Sequence, residues 1–139
     1  MKKCIDLKKI AIVLATMLLL VTGFSMNAKA ESLPTPRWTY IADIGGGIIG
    51  SSPANVGGNV TLHGTSNKAA MTATLQKYNG GWENVTSWYA EGYGTVEASG
   101  SYTMTRGTYR IRLYVAVYSP SGKLLESTTV YTGEQSFRN

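Results

Sequence analysis

The sequence predicts an all-β protein, an antiparallel β-sandwich of seven to eight strands held together without a disulfide. From Arg37 onward glycine is frequent, Thr, Val, Tyr and Trp are abundant, and no stretch keeps a helical period for three turns. The segment from Thr108 to Ser119 places a large apolar side chain at every second position. Strand-like runs recur about every 8–12 residues with turn residues between them, a spacing typical of two-sheet sandwiches.

The first 30 residues have the composition of a cleaved secretory signal peptide. Their basic start contains Lys2, Lys3, Lys8 and Lys9. An apolar run, Ile10–Val21, follows, and Ala28 and Ala30 form a small-x-small cleavage site, which predicts a mature chain that begins at Glu31. The apolar run is shorter than the ~18–20 residues of a spanning helix, so we expect membrane contact only before cleavage.

Three parts are therefore expected: the signal peptide 1–30, a flexible leader 31–36 that contains Pro34 and Pro36, and one sandwich domain over 37–139. The chain has neither a lipoprotein cysteine at the end of the apolar run nor a C-terminal wall-sorting pattern. We expect a secreted, extracellular protein.

The charge of the chain is concentrated in its first 30 residues. The formal net charge is +5, but five Lys and one Asp of the signal peptide leave only +1 for residues 31–139. A nearly neutral domain has no strong field to attract nucleic acid or an anionic membrane, so neither is an expected partner. Cys4 is the only cysteine and lies in the signal peptide, so the domain has to be held by its apolar core.

The first half of the domain contains two predicted strands and a hairpin. Trp38–Ile44 is predicted to be a strand that Gly45–Gly47 break or kink, with a continuation over Ile48–Ser52 along an edge. Asn59–Thr65 is predicted to be the second strand, with Val60, Leu62 and Gly64 on one face.

The hairpin pairs Met71–Gln76 with Trp82–Tyr89 through a turn at Asn79–Gly81, because these residues tolerate positive φ. Trp82 and Trp88 of the second strand are an even number of residues apart, so regular alternation would put them on one face and Val85 on the other. A β-bulge is predicted there, because one extra residue would reconcile these positions.

In the second half, Ala90–Gly100 is predicted to be a loop with a short edge strand. Ser101–Thr105 is expected to be a strand that points Tyr102 and Met104 inward. The clearest strand is Thr108–Ser119, whose inner face consists of Tyr109, Ile111, Leu113, Val115 and Val117. A turn at Ser119–Gly122 then leads into a closing strand over Lys123–Thr132.

Four short runs together resemble small secreted proteins of Gram-positive bacteria, a group of unknown function: Leu75–Lys77, Gly80–Trp82, Ser87–Trp88 and Gly107–Arg112. The resemblance covers most of residues 37–132 and extends, more distantly, to immunoglobulin-like and fibronectin type III-like sandwiches. It implies that Tyr109 is a tyrosine corner, that Ile111 takes the place of an antibody cysteine, and that Leu62 is its partner across the sheets. The antibody Cys pair and strand-C Trp are missing here, and the resemblance brings no catalytic residues.

The residue types favour a non-enzymatic protein without a cofactor or a metal. His63 is the only His, and residues 31–139 contain one Asp, Asp43, which are too few ligands for a zinc or calcium site. No Gly-x-Ser-x-Gly elbow is present for a catalytic serine, and Gly45–Gly47 lack the Lys and helix of a phosphate loop. A glycosidase remains as an alternative, with its carboxylate pair among Glu83, Glu91 and Glu97.

Aromatic side chains are the main functional candidates, because the domain has three Trp and nine Tyr, more than its core is expected to hide. The expected binding residues are Trp82, Trp88, Tyr89, Tyr93, Arg110, Arg112, Tyr114 and Tyr118. They predict an extracellular binding module for a cell-envelope glycan or a protein. The alternative is that the rings only cover the sheet by cross-strand pairing, in a structural, self-assembling or antagonistic secreted protein. The oligomeric state stays open.

Overall fold

Eight β-strands account for most of residues 37–138, the part of the chain that the computed structural model describes. They are β1 (Ile41–Gly50), β2 (Ala54–Leu62), β3 (Lys68–Tyr78), β4 (Trp82–Tyr93), β5 (Thr95–Tyr102), β6 (Gly107–Tyr118), β7 (Leu124–Tyr131) and β8 (Gln135–Phe137). None of these residues belongs to a helix that is long and apolar enough to cross a membrane. The predicted signal peptide 1–30, its cleavage site at Ala28, Ala30 and Glu31, and the leader 31–36 lie outside the described residues.

The strands form two antiparallel sheets, as the sequence predicts. A three-stranded sheet has the order β1-β2-β5, and a five-stranded sheet has the order β4-β3-β6-β7. The short strand β8 pairs with the beginning of β6, beside the place where β7 ends. The predicted all-β sandwich without a disulfide is confirmed.

The core lies between the two sheets and is made by alternate residues of their strands. The predicted inner face of β6, from Tyr109 to Val117, is fully buried. Its neighbour β3 contributes Ala69, Met71, Ala73 and Leu75, and the three-stranded sheet contributes Ile41, Val56, Val60, Leu62, Val96 and Ala98. Successive side chains of a strand point to opposite faces, so the alternation of β6 leaves its polar positions on the outside.

Two glycines of the three-stranded sheet make room for one leucine of the other sheet. Gly46 and Gly58 are register partners in the β1–β2 pairing. A Cβ atom added at Gly46 would lie 2.9 Å from Leu113 Cδ1, and one at Gly58 would lie 2.6 Å from Leu113 Cδ2. The expected break at Gly45–Gly47 is therefore wrong. The strand continues through the glycines because their missing side chains let the two sheets approach.

The predicted β-bulge in β4 is confirmed. Val85 has no register partner, since Thr86 pairs with Leu75 and Asn84 pairs with Gln76. The extra residue reverses the alternation, so Val85 and Trp88 both pack against the core while Trp82 lies on the other side of the strand.

Other boundaries also differ from the sequence prediction. β1 begins at Ile41 and not at Trp38, and the strand expected over Ser101–Thr105 is only the end of β5, which stops at Tyr102. β2 begins at Ala54 and ends at Leu62, so Gly64, at φ 102°, lies beyond it and is not on its inner face. Ala90–Gly100 is mostly strand, and Gly94 alone separates β4 from β5. Glycines in this stretch suggested a loop, but Gly100 provides the surface on which the Trp88 indole rests. β8 was not predicted, because its pairing depends on a three-residue contact with β6.

Tyr109 is fully buried, and its hydroxyl is hydrogen-bonded to a residue four positions upstream. Its hydroxyl accepts a hydrogen bond from the Thr105 backbone N–H at 3.3 Å and contacts Thr105 Oγ1 at 2.8 Å. Its ring meets Phe137 of β8 edge-on at 5.7 Å. Burial raises the pKa of the phenol, but hydrogen bonds from Thr105 and the nearby Lys77 ammonium outweigh it and leave the pKa below 10.0. Ile111 and Leu62 are also buried in the core.

Candidate functional site

The outer side of the five-stranded sheet carries most of the exposed aromatic side chains. We call this surface the aromatic face, and it consists of Tyr78, Trp82, Tyr89, Tyr93, Arg110, Arg112, Tyr114, Tyr118 and Tyr131. The strand register arranges it in rows across the sheet. The row at one end joins Tyr93, Lys68 and Tyr118, and the next but one joins Tyr89, Thr72 and Tyr114. Tyr89 and Tyr93 expose 62% and 60% of their surface, so these rings are accessible to a ligand.

The structure brings seven of the eight expected binding residues onto this face and leaves one out. Trp88 is opposite Ala73, points inward, and packs against the core. It is partly buried and lies on the other side of the strand from Trp82, because the bulge at Val85 reverses the alternation. Sequence reasoning also missed two rings, Tyr78 and Tyr131. Counting the β6–β7 hairpin outward from the turn at Ser119–Gly122 places Tyr131 opposite Arg110, two residues from its actual partner Arg112 but on the same face.

The Arg110 side chain is held between two aromatic rings. Its guanidinium carbon lies 4.1 Å from the centre of the Trp82 ring and 4.2 Å from that of the Tyr131 ring. Its Nε donates a hydrogen bond to Gln76 Oε1 at 2.9 Å, and Gln76 Nε2 donates to Asn84 Oδ1 at 2.9 Å. Together these contacts connect all four long strands of the sheet on its outer side and fix a cation in the aromatic face.

Arg112 lies one row further along β6, in a shallow cleft of about 390 Å³. The cleft is lined by Thr72, Thr74, Arg112, Tyr114, Thr129 and Tyr131. Thr74 at its floor belongs to a central strand and is 4% exposed. A guanidinium group, three hydroxyls and two phenol rings thus surround one depression in the sheet surface.

The far end of the face contains a small polar network and a second cleft. The Tyr89 hydroxyl donates to Glu91 Oε2 at 2.8 Å, and Lys68 Nζ lies 3.3 Å from the same carboxylate oxygen. The hydrogen bond from Tyr89, followed by the Lys68 contact and charge, lowers the pKa of Glu91 below 4.5. The same hydrogen bond raises the pKa of Tyr89 above 10.0. Beside this network lies a cleft of about 330 Å³ bordered by Tyr93, Tyr118 and Pro120.

The outer side of the three-stranded sheet has different chemistry. It carries a broad groove of about 660 Å³ whose floor is mostly glycine backbone and whose polar groups include Asn55, Asn59, Glu97 and Ser99. Ile49, at 76% exposure, is the large apolar side chain of this side. The strands of this sheet contain the acids Asp43 and Glu97 and no Lys or Arg.

The structure separates the three carboxylates that the glycosidase alternative required. Glu91 is on the aromatic face, and Glu97 is opposite Asn59 on the outer side of the other sheet. Glu83 is an exposed residue near the β3–β4 turn. Within residues 37–138 no three His, Cys, Asp or Glu side chains come together as a metal site, and His63 is exposed.

Comparisons of the chain with protein-family models, with curated proteins and with solved structures find no match.

Proposed function

We propose that this protein is a secreted, non-enzymatic binding module that recognises a glycan of the cell envelope through the aromatic face. The observation that carries the proposal is the set of rings grouped on one sheet surface, of which Tyr89, Tyr93, Tyr114 and Tyr131 each expose 44% or more. Phenol and indole rings combine a flat apolar surface with a polar group, which suits sugars because they have one apolar and several hydroxyl-bearing sides.

The shape of the surface favours a glycan over a protein partner. Its central strands β3 and β6 are paired on both sides, so the face itself offers no free backbone edge for an added peptide strand. Its two clefts are open depressions, whereas the central anchors of protein interfaces fill closely packed pockets. The outer rows from Lys68 to Tyr78 repeat at about 7 Å along the strands, so the aromatic face extends for roughly 34 Å, the length of several sugar residues.

Two features support the immunoglobulin-like or fibronectin type III-like assignment that the sequence resemblance implies. The fourth strand belongs to the sheet of the third, sixth and seventh strands, and the fifth strand returns to the sheet of the first two, as in such sandwiches. The Tyr109 hydroxyl is bonded to the residue four positions upstream. Sandwiches of this type host many functions, so this assignment supports the architecture and not a ligand.

The proposal is tested by measuring the affinity of the chain for peptidoglycan, teichoic acid and plant polysaccharides by isothermal titration calorimetry. We expect binding to at least one polysaccharide and a loss of about tenfold or more in Tyr114→Ala, because this change removes an exposed ring from the centre of the face. Ile49→Ala is the matched control, since it removes an exposed apolar side chain from the opposite sheet. Absence of binding to every polysaccharide, or equal losses in both variants, would contradict a glycan function. If an envelope protein binds tightly and Tyr114→Ala abolishes that binding, the ligand of the aromatic face is a protein and not a glycan.

Self-assembly is the second candidate function, and strand β1 is the observation that favours it. β1 is an edge strand of ten residues with a single charge, Asp43, and an exposed Ile49. Long edges with few charges are templates for pairing with another chain. Light scattering separates the two: self-assembly predicts a molar mass that rises with concentration and falls in Ile49→Lys, while a binding module predicts a constant mass.

A further inference from the structure

We propose that the Arg112 cleft is a subsite for a carboxylate-bearing sugar, so that the ligand of the aromatic face is an acidic polysaccharide built from uronic acids. This inference rests on the proposed glycan function and narrows it to a chemical class.

The groups around the cleft match a sugar carboxylate and its hydroxyls. A guanidinium group donates in a planar fork that fits the two oxygens of a carboxylate. Arg112 supplies that fork at one side, and the hydroxyls of Thr72, Thr74 and Thr129 surround the same depression. Tyr114 and Tyr131 border it, so a pyranose ring seated there has an aromatic neighbour.

The charges of the sandwich favour an anion on this face. Among residues 37–138 the one ion pair joins Lys68 to Glu91, at the far end of the face from Arg110. Arg110 is held by two rings and a neutral glutamine, and Arg112 lies beside neutral hydroxyl and phenol groups. Two guanidinium charges therefore stand in adjacent rows without a carboxylate, while the strands of the opposite sheet carry only acids. A negatively charged chain is attracted to the aromatic face and repelled by the other.

The combination of rings and cations favours charged sugars over other anions. A polyol phosphate chain would satisfy the arginines but has few ring faces for the tyrosines. An acidic peptide would satisfy the arginines as well, but it would leave the row of hydroxyls and open phenol rings without a matching surface. A polyuronate provides a carboxylate and a pyranose ring in every residue, so it satisfies both sets of groups at once.

The test compares two forms of one polymer: polygalacturonate and its fully methyl-esterified form, which keeps the sugar rings and loses the charges. Their affinities for the chain, expressed from its full sequence, are measured by titration calorimetry at low ionic strength. We expect the acidic form to bind at least about tenfold more tightly than the ester, and Arg112→Gln to remove most of that difference. Arg106→Gln is the matched control, because Arg106 is an exposed arginine in the loop between β5 and β6.

The outcomes separate this inference from the proposed function. Equal binding of the acidic and the esterified polymer would overturn the acidic subsite and keep a glycan module. Binding of neither polymer, together with no binding of any other polysaccharide, would overturn both. Tighter binding of lipoteichoic acid or of poly-glutamate than of polygalacturonate would also overturn the inference, since binding would then depend on negative charge and not on a charged sugar ring. Circular dichroism of each variant confirms that a loss of binding is not a loss of fold.

Discussion

At the scale of single residues, Arg110 is the side chain that organises the aromatic face. It lies between a ring of β4 and a ring of β7, and it is bonded to the amide of β3. Its planar guanidinium can stack on both rings at once, which a lysine ammonium cannot do. The residue therefore contributes to stability and also keeps Trp82 and Tyr131 in place for a ligand.

Arg110→Lys is expected to lower the free energy of unfolding by about 1–2 kcal/mol, since two stacked contacts and a directed hydrogen bond are lost while the charge stays. Urea unfolding followed by far-ultraviolet circular dichroism measures the change. Arg106→Lys, the same substitution in an exposed loop, is expected to change it by less than about 0.5 kcal/mol. Equal effects of the two substitutions would show that the stacked arrangement contributes nothing.

Glu91 provides a pH-dependent prediction. Its pKa lies below 4.5 chiefly because it accepts the Tyr89 hydroxyl, so Tyr89→Phe is expected to move the pKa upward toward that value. A group with a depressed folded-state pKa contributes stability that is fully present above the unfolded value and is lost as the pH falls through the folded value. NMR titration of the Glu91 carboxyl carbon from pH 2 to 7 measures the shift. An unchanged pKa in Tyr89→Phe would contradict the hydrogen bond.

At the scale of elements, the contact between β1, β2 and β6 explains why glycines occur inside strands. The pair Gly46 and Gly58 receives the Leu113 side chain from the opposite sheet. The same principle applies to Gly100, where an added Cβ would clash with the Trp88 indole. Glycine in a strand interior normally weakens it, and here the weaker strand is offset by the closer approach of the two layers.

Gly58→Ala is expected to destabilise the domain by about 1–3 kcal/mol, because the new methyl group would overlap Leu113 and the Gly45 carbonyl oxygen. Gly47→Ala is the control from the same sheet, since a Cβ there has no atom within 4 Å. It is expected to be neutral or slightly stabilising. Thermal unfolding of both variants gives the comparison, and equal melting temperatures would refute the tight packing of Leu113.

At the scale of the whole molecule, the sandwich presents two unlike surfaces and keeps them apart by a continuous apolar core. One side has aromatic rings and guanidinium groups, and the other has glycine backbone, amides and carboxylates. The core that joins them consists of aliphatic side chains, two methionines and Tyr109. Because residues 31–139 contain no cysteine, the stability of this domain depends on apolar contact.

The melting temperature of the chain is expected to be unchanged, within about 1 °C, by a chelator or by a thiol reductant, because neither acts on apolar contacts. Differential scanning calorimetry with and without each reagent measures this. A fall of several degrees with the chelator would reveal a metal that stabilises the folded state. The same fall with the reductant alone would reveal a disulfide between two Cys4 residues, and so a chain that keeps its first 30 residues.

The strands that could be predicted are those whose sequence pattern is local. The strands that were predicted wrongly depend on contacts between the two sheets. β6 and the β3–β4 hairpin could be located because alternation and turn residues are local patterns. The sequence prediction ended β1 at its glycines and assigned Ala90–Gly100 mostly to a loop. Glycine fits inside these strands only because a large side chain of the other sheet packs against it, and the local sequence does not show that contact. Seven of the candidate binding residues lie on one face. Trp88 does not, because the bulge at Val85 puts Trp88 and Trp82, which are an even number of residues apart, on opposite sides of β4.

By itself the sequence determined the β class, the strand periodicity, the absence of a disulfide in the domain, and which residue types were available for binding. These properties follow from composition and from the two-residue repeat of a strand, so they do not depend on contacts between distant parts of the chain. The tertiary structure alone decided that Trp82 and Tyr131 enclose Arg110, that Trp88 faces inward, and that Gly46 and Gly58 receive Leu113. Each of these depends on atoms far apart in the chain, whose distances are set only when the sheets are paired and stacked.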